Sequence, residues 1–147
     1  MIIVDTRERK WGHIRNWLEM HGIDYECKKL DFGDYMLPGG RVTVDRKRNL
    51  DELAGNLCTK DKRRFWNEIR GASRAGLHVV VLCEHGQGIE SPHDVLNWRS
   101  NNTKITGEMV FSEMFNMSVA YGVEFLFCDT EQTGQRIAKI LELDCGK

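Results

Sequence analysis

The sequence predicts an α/β domain in which a central mixed sheet is flanked by helices. Short apolar, β-branched runs at 1–5, 77–82 and 123–127 alternate with stretches of helical spacing, a pattern that stacks helices on a sheet. The turn-rich Leu37-Pro38-Gly39-Gly40 between two strand-like segments adds a hairpin, and with it an antiparallel pairing. A chain of 147 residues, 41% hydrophobic and 29% charged, can bury one core. No repeat or low-complexity linker marks a boundary, so one domain over 1–147 is expected.

Each element follows from local pattern. Residues 1–5 read as a strand, 10–21 as a helix and 24–29 as a second strand. Residues 30–37 and 41–47 form the two arms of the hairpin, and helices follow near 49–57 and 61–75. The apolar run 77–82 is short and β-branched enough for a buried strand. Ser91, an N-cap, and Pro92, suited to a first helical position, start another helix before the open polar stretch 99–104. The last third reads as helix 106–121, strand 123–127 and helix 130–143.

Composition excludes several classes. The N-terminus turns charged within five residues, unlike a secretory signal, and no apolar run approaches a membrane span. Cytoplasmic residence, with no membrane partner, is the expectation. The cysteines Cys27, Cys58, Cys83, Cys128 and Cys145 are scattered and odd in number, with no C-x-x-C pair. That pattern argues for reduced thiols, and against a disulfide framework or a zinc site. His85 and His93 near Cys83 match no standard zinc spacing.

One constellation carries chemistry. Gly33-Asp34-Tyr35 is followed, eleven residues after Asp34, by Asp45-Arg46-Lys47 and then Asp51. Hard divalent cations take carboxylate oxygens and keep several waters, so paired acids can hold Mg²⁺, or Mn²⁺ in its place, against a scissile phosphate. A nearby lysine can orient the attacking water or stabilise charge developing on the phosphate. The hairpin can bring Asp34 and Asp45 together. The bland alternatives are a turn-favoured acid at Asp34 and a weak surface pair between Asp45 and Lys47, which share one strand face.

These residues resemble the nuclease domain of the XPF-type family of structure-specific DNA endonucleases, whose hallmark is GD, a variable spacer and ERK-x-x-x-D. Here Gly33-Asp34, Asp45-Arg46-Lys47 and Asp51 stand in that order with the three-residue gap intact. Val4-Asp5-Thr6-Arg7-Glu8 resembles the family's opening strand and D-x-R-E, and Arg64-Phe65 opens a similar later helix. The strand ending before Glu84, and Glu131-Gln132-Thr133 entering the final helix, extend the likeness over most of the chain. Asp45 stands where the family has Glu; other nucleases of the restriction-endonuclease-like fold use either acid, so activity is expected to be retained.

The resemblance implies that fold, a Mg²⁺-dependent endonuclease and DNA as partner. Asp34, Asp45 and the backbone carbonyl of Arg46 would be metal ligands, and Lys47 the cation beside the attacking water. Asp5 would make an outer-sphere or second-metal contact, or serve as a cap or turn residue. Arg7 and Glu8 would form an orienting ion pair. The Arg46 side chain would serve phosphate or structure. Asp51 would orient the site or occupy the first turn of its helix, where negative charge suits the dipole.

Charge supports nucleic acid once it is read by segment. Residues 41–74 hold ten Lys or Arg against five Asp or Glu, a net +5 in a chain of net charge −1. Lys60, Lys62, Arg63, Arg64, Arg70 and Arg74 fall on or beside one helix, with Arg63, Arg70 and Arg74 on one face. Such a stripe binds phosphates without sequence preference; its bland alternative is a solvated face. The 106–121 helix is apolar on more than one face through Met109, Phe111, Met114, Phe115 and Val119. It is either a core helix or, with Ile137, Ile140 and Leu141 of the last helix, a homodimer interface, which the resemblance favours. After the final helix no room remains for the tandem helix-hairpin-helix module of many relatives, so a separate protein supplying DNA-binding domains is a further expected partner. Two other readings stand beside the endonuclease: a non-catalytic DNA-binding or dimerisation module, and an end-directed or RNA-cutting nuclease.

Overall fold

The computed structural model describes residues 1–143; Cys145 therefore lies outside the described residues. It has a mixed six-stranded sheet, order β2-β1-β3-β4-β5-β6, flanked by helices on both faces. The strands are β1 (Ile2–Val4), β2 (Tyr25–Cys27), β3 (Tyr35–Met36), β4 (Val42–Lys47), β5 (His78–Cys83) and β6 (Glu124–Phe127). The helices are α1 (Gly12–Met20), α2 (Leu50–Cys58), α3 (Lys62–Arg74), α4 (Gly107–Tyr121) and α5 (Thr133–Ile140). Only β3 is antiparallel, pairing with β1 on one side and β4 on the other; β1–β2, β4–β5 and β5–β6 are parallel.

The sheet divides two apolar cores. Val79, Val81 and Cys83 of β5 and Phe125 and Phe127 of β6 face α2, α3 and α4, where Leu53, Leu57, Phe65, Ile69, Val110 and Met114 are buried. Ile2, Val4, Tyr35, Val44 and Leu82 face α1 and α5, against Ile14, Leu18, Ile137 and Leu141. Because side chains alternate along a strand, β4 is divided between these faces: Val44 and Arg46 point to one, Thr43, Asp45 and Lys47 to the other. Asn49 caps α2, its Oδ1 accepting from the Glu52 N–H at 2.8 Å, so a helix begins three residues after β4 ends.

Three departures from the sequence expectation have local causes. The first hairpin arm is strand only at Tyr35–Met36, because Gly33 turns the chain at φ 78°. A Cβ at Gly33 would sit 2.0 Å from Thr43 Oγ1, whose hydroxyl instead donates to the Phe32 carbonyl at 2.8 Å. The helix begun by Ser91 is a 3₁₀ helix, Pro92–Asn97, with a Ser91–Asp94 capping box at its N-terminus. The final helix starts at Thr133, preceded by a 3₁₀ turn over Thr130–Gln132.

The two helices considered as a joint interface pack on opposite sheet faces, α4 with α2 and α3, α5 with α1. Ile137 and Leu141 are buried in the α1–α5 core, which corrects their assignment to an interface surface. On α4, Val110, Met114 and Met117 enter the core while Met109, Phe115 and Val119 stay exposed. No helix among the described residues is long and apolar enough to cross a membrane.

Candidate active site

Where β3 and β4 run under α3, a cavity of about 250 Å³ opens. Its lining combines Asp5, Arg7, Asp31, Asp34, Asp45, Lys47 and Glu68 with Phe32, Ile69, Ala72 and Val79. The structure thus brings Asp34, Asp45 and Lys47 together, with Asp5 and Arg7 at the same wall.

Asp34 is fixed by its backbone before its side chain does anything. Its N–H donates to the Val44 carbonyl and its own carbonyl accepts from the Asp5 N–H, both at 2.8 Å. Its Oδ2 accepts from the Arg46 N–H, also at 2.8 Å. Burial and the nearby negative charges of Asp45 and Glu8 push its carboxyl well above the usual carboxylate range, outweighing the Arg46 N–H and Lys47.

Asp45 and Lys47 share the cavity-facing side of β4, Lys47 Nζ lying 3.2 Å from Asp45 Oδ1 and 4.6 Å from the centre of the Phe65 ring. Burial alone would lower the ammonium's pKa, but the Asp45 charge and hydrogen bond, with Asp34 behind, raise it overall. Lys47 is therefore a held cation, available to an oxyanion and unsuited to act as a base near neutral pH.

Asp5 is committed differently. Its oxygens accept from the Leu30 N–H at 2.8 Å and from Arg7 Nε at 2.9 Å. Burial raises its pKa, yet these donors outweigh it and the net shift is downward. Arg7 also donates to the Leu30 carbonyl at 2.9 Å. The expected Arg7–Glu8 ion pair is not formed: Arg7 pairs with Asp5, and Glu8 with Arg46.

The Arg46 side chain leaves the cavity altogether. On the far face of the sheet its guanidinium donates to Glu8 Oε2 at 2.9 Å, to Glu84 Oε1 and to the Arg9 carbonyl at 2.5 Å. Of the alternatives open for this side chain, its placement suits structure, whereas its peptide group stays at the cavity. Asp51 lies outside the cavity lining, in the first turn of α2, where it accepts from Ser100 Oγ at 2.7 Å.

The basic helix is partly spent on packing. Lys62 pairs with Glu113 of α4 at 2.8 Å, and Arg70 donates to Tyr121 Oη at 3.0 Å and Asn67 Oδ1 at 2.8 Å. Lys60, Arg63, Arg64 and Arg74 remain exposed. Asp31 and Glu68 were not singled out by sequence reasoning, yet both line the cavity. Asp31 could have been found by its place on the same arm as Asp34, and Glu68 by its place between Phe65 and Ile69, the apolar residues that turn α3 toward the sheet.

Among the described residues no three His, Cys, Asp or Glu side chains converge in metal-binding geometry. Asp34 and Asp45 supply two carboxylates, and a third protein oxygen would have to come from the backbone.

No curated protein matches this sequence. The fold is similar to that of XPF from Aeropyrum pernix, with TM-score 0.73, 19% identity, 96% of this chain covered and 63% of that one. It is also similar to XPF from Aeropyrum pernix in complex with DNA, with TM-score 0.70, 20% identity and coverages of 96% and 62%. The chain thus spans less than two thirds of the length of these structures. The sequence model of the ERCC4 domain matches residues 4–141, and the chain belongs to the ERCC4 domain family.

Proposed function

We propose that this chain is a metal-dependent endonuclease that hydrolyses phosphodiester bonds in branched or otherwise structured DNA, with Mg²⁺ as the cation and Mn²⁺ able to replace it. The observation that carries the reading is the convergence of Asp34, Asp45 and Lys47 on one cavity, with the Asp34 carboxyl pushed up by burial and by Asp45. Two half-buried acids that repel each other across one cavity are a site in need of positive charge. The donor set suits a hard divalent cation, which takes few protein oxygens and keeps its waters. In an extended strand the N–H and C=O of one residue point to the same side, so the Arg46 carbonyl lies on the edge where its N–H meets Asp34. Asp34, Asp45 and that carbonyl would hold the cation.

When bound, the cation would supply Lewis acidity and lower the pKa of a water. The chain's own residues do the rest. Asp34 and Asp45 fix where positive charge sits. Lys47, propped by Asp45 and Phe65, presents an ammonium to the water or to the negative charge growing on the phosphate. Arg7 at the cavity wall, with Lys60, Arg63, Arg64 and Arg74 exposed nearby in sequence, offers phosphates sequence-independent contacts. A similar fold is known in complex with DNA, which favours DNA over RNA here. Exposed Met109, Phe115 and Val119 on α4 support a homodimer.

Labelled fork, flap, single-stranded and duplex DNA, incubated with Mg²⁺ or Mn²⁺, test the proposal. Asp45→Asn and Lys47→Ala, each verified as folded, are expected to lower cleavage by about 100-fold or more while DNA binding persists. DNA binding without cutting by the wild type under any metal would leave the non-catalytic module as the function. A preference for free ends, or for RNA, would move the substrate to the third reading.

A further inference from the structure

Behind the cavity, on the opposite face of β4, lies a buried polar cluster that the proposed chemistry does not use. Glu84 follows β5, and its carboxylate side chain is 3% exposed. It gathers three donors from three elements: Arg46 Nη1 of β4, His13 Nε2 of α1 at 2.7 Å, and Thr133 Oγ1 of α5 at 2.7 Å. Glu8 takes Arg46 Nε from the other side. The guanidinium, 2% exposed, is thereby clamped between two carboxylates and the Arg9 carbonyl.

Arg46 is the residue between Asp45 and Lys47, and its own N–H holds Asp34 Oδ2 at 2.8 Å. A strand residue whose side chain is locked at the rear has its peptide locked at the front. We propose that Glu84, assisted by Glu8, is a positioning residue for the cation site: by clamping the Arg46 guanidinium it fixes the peptide that aligns Asp34 with Asp45. The inference rests on the metal-site reading given above and deepens it. It extends the site to groups that touch neither cation nor DNA. Residues that orient metal ligands from outside the coordination sphere affect affinity by about 10–100-fold when lost.

Mn²⁺ binding measured by calorimetry on the whole chain without DNA, alongside melting temperature, tests the proposal. Glu84→Gln keeps size and shape but weakens the clamp. It is expected to weaken Mn²⁺ binding about 10–100-fold. Thr133→Val removes a hydroxyl donor from the same Glu84 carboxylate without touching Arg46; it is expected to lower the melting temperature and leave the Mn²⁺ dissociation constant at the wild-type value. Glu8→Gln, at the less enclosed end of the clamp, gives a second reading should Glu84→Gln fail to fold, with the same weakening expected. Unchanged Mn²⁺ affinity in the folded Glu84→Gln and Glu8→Gln variants would overturn the proposal. So would weakening that merely tracks melting temperature across all variants, Thr133→Val included. A wild type that binds no Mn²⁺ would instead overturn the metal-site reading, and is distinguished from both by needing no variant.

Discussion

Asp34 is where function and stability oppose each other. Its carboxyl is buried beside Asp45 and its pKa is raised by that burial and that charge. The folded protein therefore holds a proton there at pH values where the unfolded chain has lost it. Its contribution to stability is greatest in acid and falls as pH rises through the folded pKa. Replacing it with Asn, which keeps the shape and removes the charge, is expected to raise the melting temperature of the metal-free protein above neutral pH. The same variant is expected to lose the added stability that Mn²⁺ gives the wild type, a gain that mass action ties to binding. Thermal unfolding at pH 5.5 and pH 8, with and without Mn²⁺, checks both; a destabilised metal-free Asn variant at pH 8 would show that the repulsion is not felt. The front residues of this site were legible because period-two alternation alone places Asp45 and Lys47 on one face. Arg46 was not, since Glu8 and Glu84 each lie 38 residues from it and no local pattern pairs them.

The hairpin of β3 and β4 is the element that converts sequence spacing into a site, and Gly33 is its hinge. At φ 78°, with Thr43 Oγ1 where a Cβ would go, it admits no side chain without strain. Gly33→Ala is expected to cost about 1–3 kcal/mol from the backbone conformation, with the contact to Thr43 added. Urea denaturation would show it, and pairing the change with Thr43→Ala should return only the contact's share, because the positive φ remains. The hairpin was readable from the Leu37-Pro38-Gly39-Gly40 turn, but its first arm was read too long: Gly33 serves the Thr43 contact rather than the strand. The 3₁₀ helix at Pro92–Asn97 shows the same limit. Ser91 and Pro92 correctly announce a helical start, yet nothing local to them reveals how soon it stops.

At the scale of the molecule, the class and the mixed sheet were in the alternation of apolar runs, while the placement of α4 and α5 on opposite faces of the sheet was not. Both helices are apolar enough to be read as neighbours, and only the sheet between them decides otherwise. The consequence is that α5 spends Ile137 and Leu141 on the core, and α4 alone offers Met109, Phe115 and Val119 to solvent. Beside them, Phe111, Phe115, Val123 and Leu126 line a groove of about 400 Å³ along β6, an edge strand of the sheet. Phe115→Glu is expected to shift a homodimer to monomer in sedimentation experiments and to remove any protein-concentration dependence of the melting temperature. A wild type that sediments as a monomer would remove the dimer from the reading.

The two faces of β4 also age differently. Losing Asp34 or Asp45 relieves a repulsion, whereas losing Arg46 strands two carboxylates in the interior, and losing Glu8 or Glu84 leaves buried guanidinium donors without their acceptor. A duplicated copy released from selection for cutting would thus slide easily toward inactivity at its front and resist change at its rear. Among descendants of such a gene, the clamp would persist as the mark of shared ancestry, and the paired acids would tell the working copies from the retired ones.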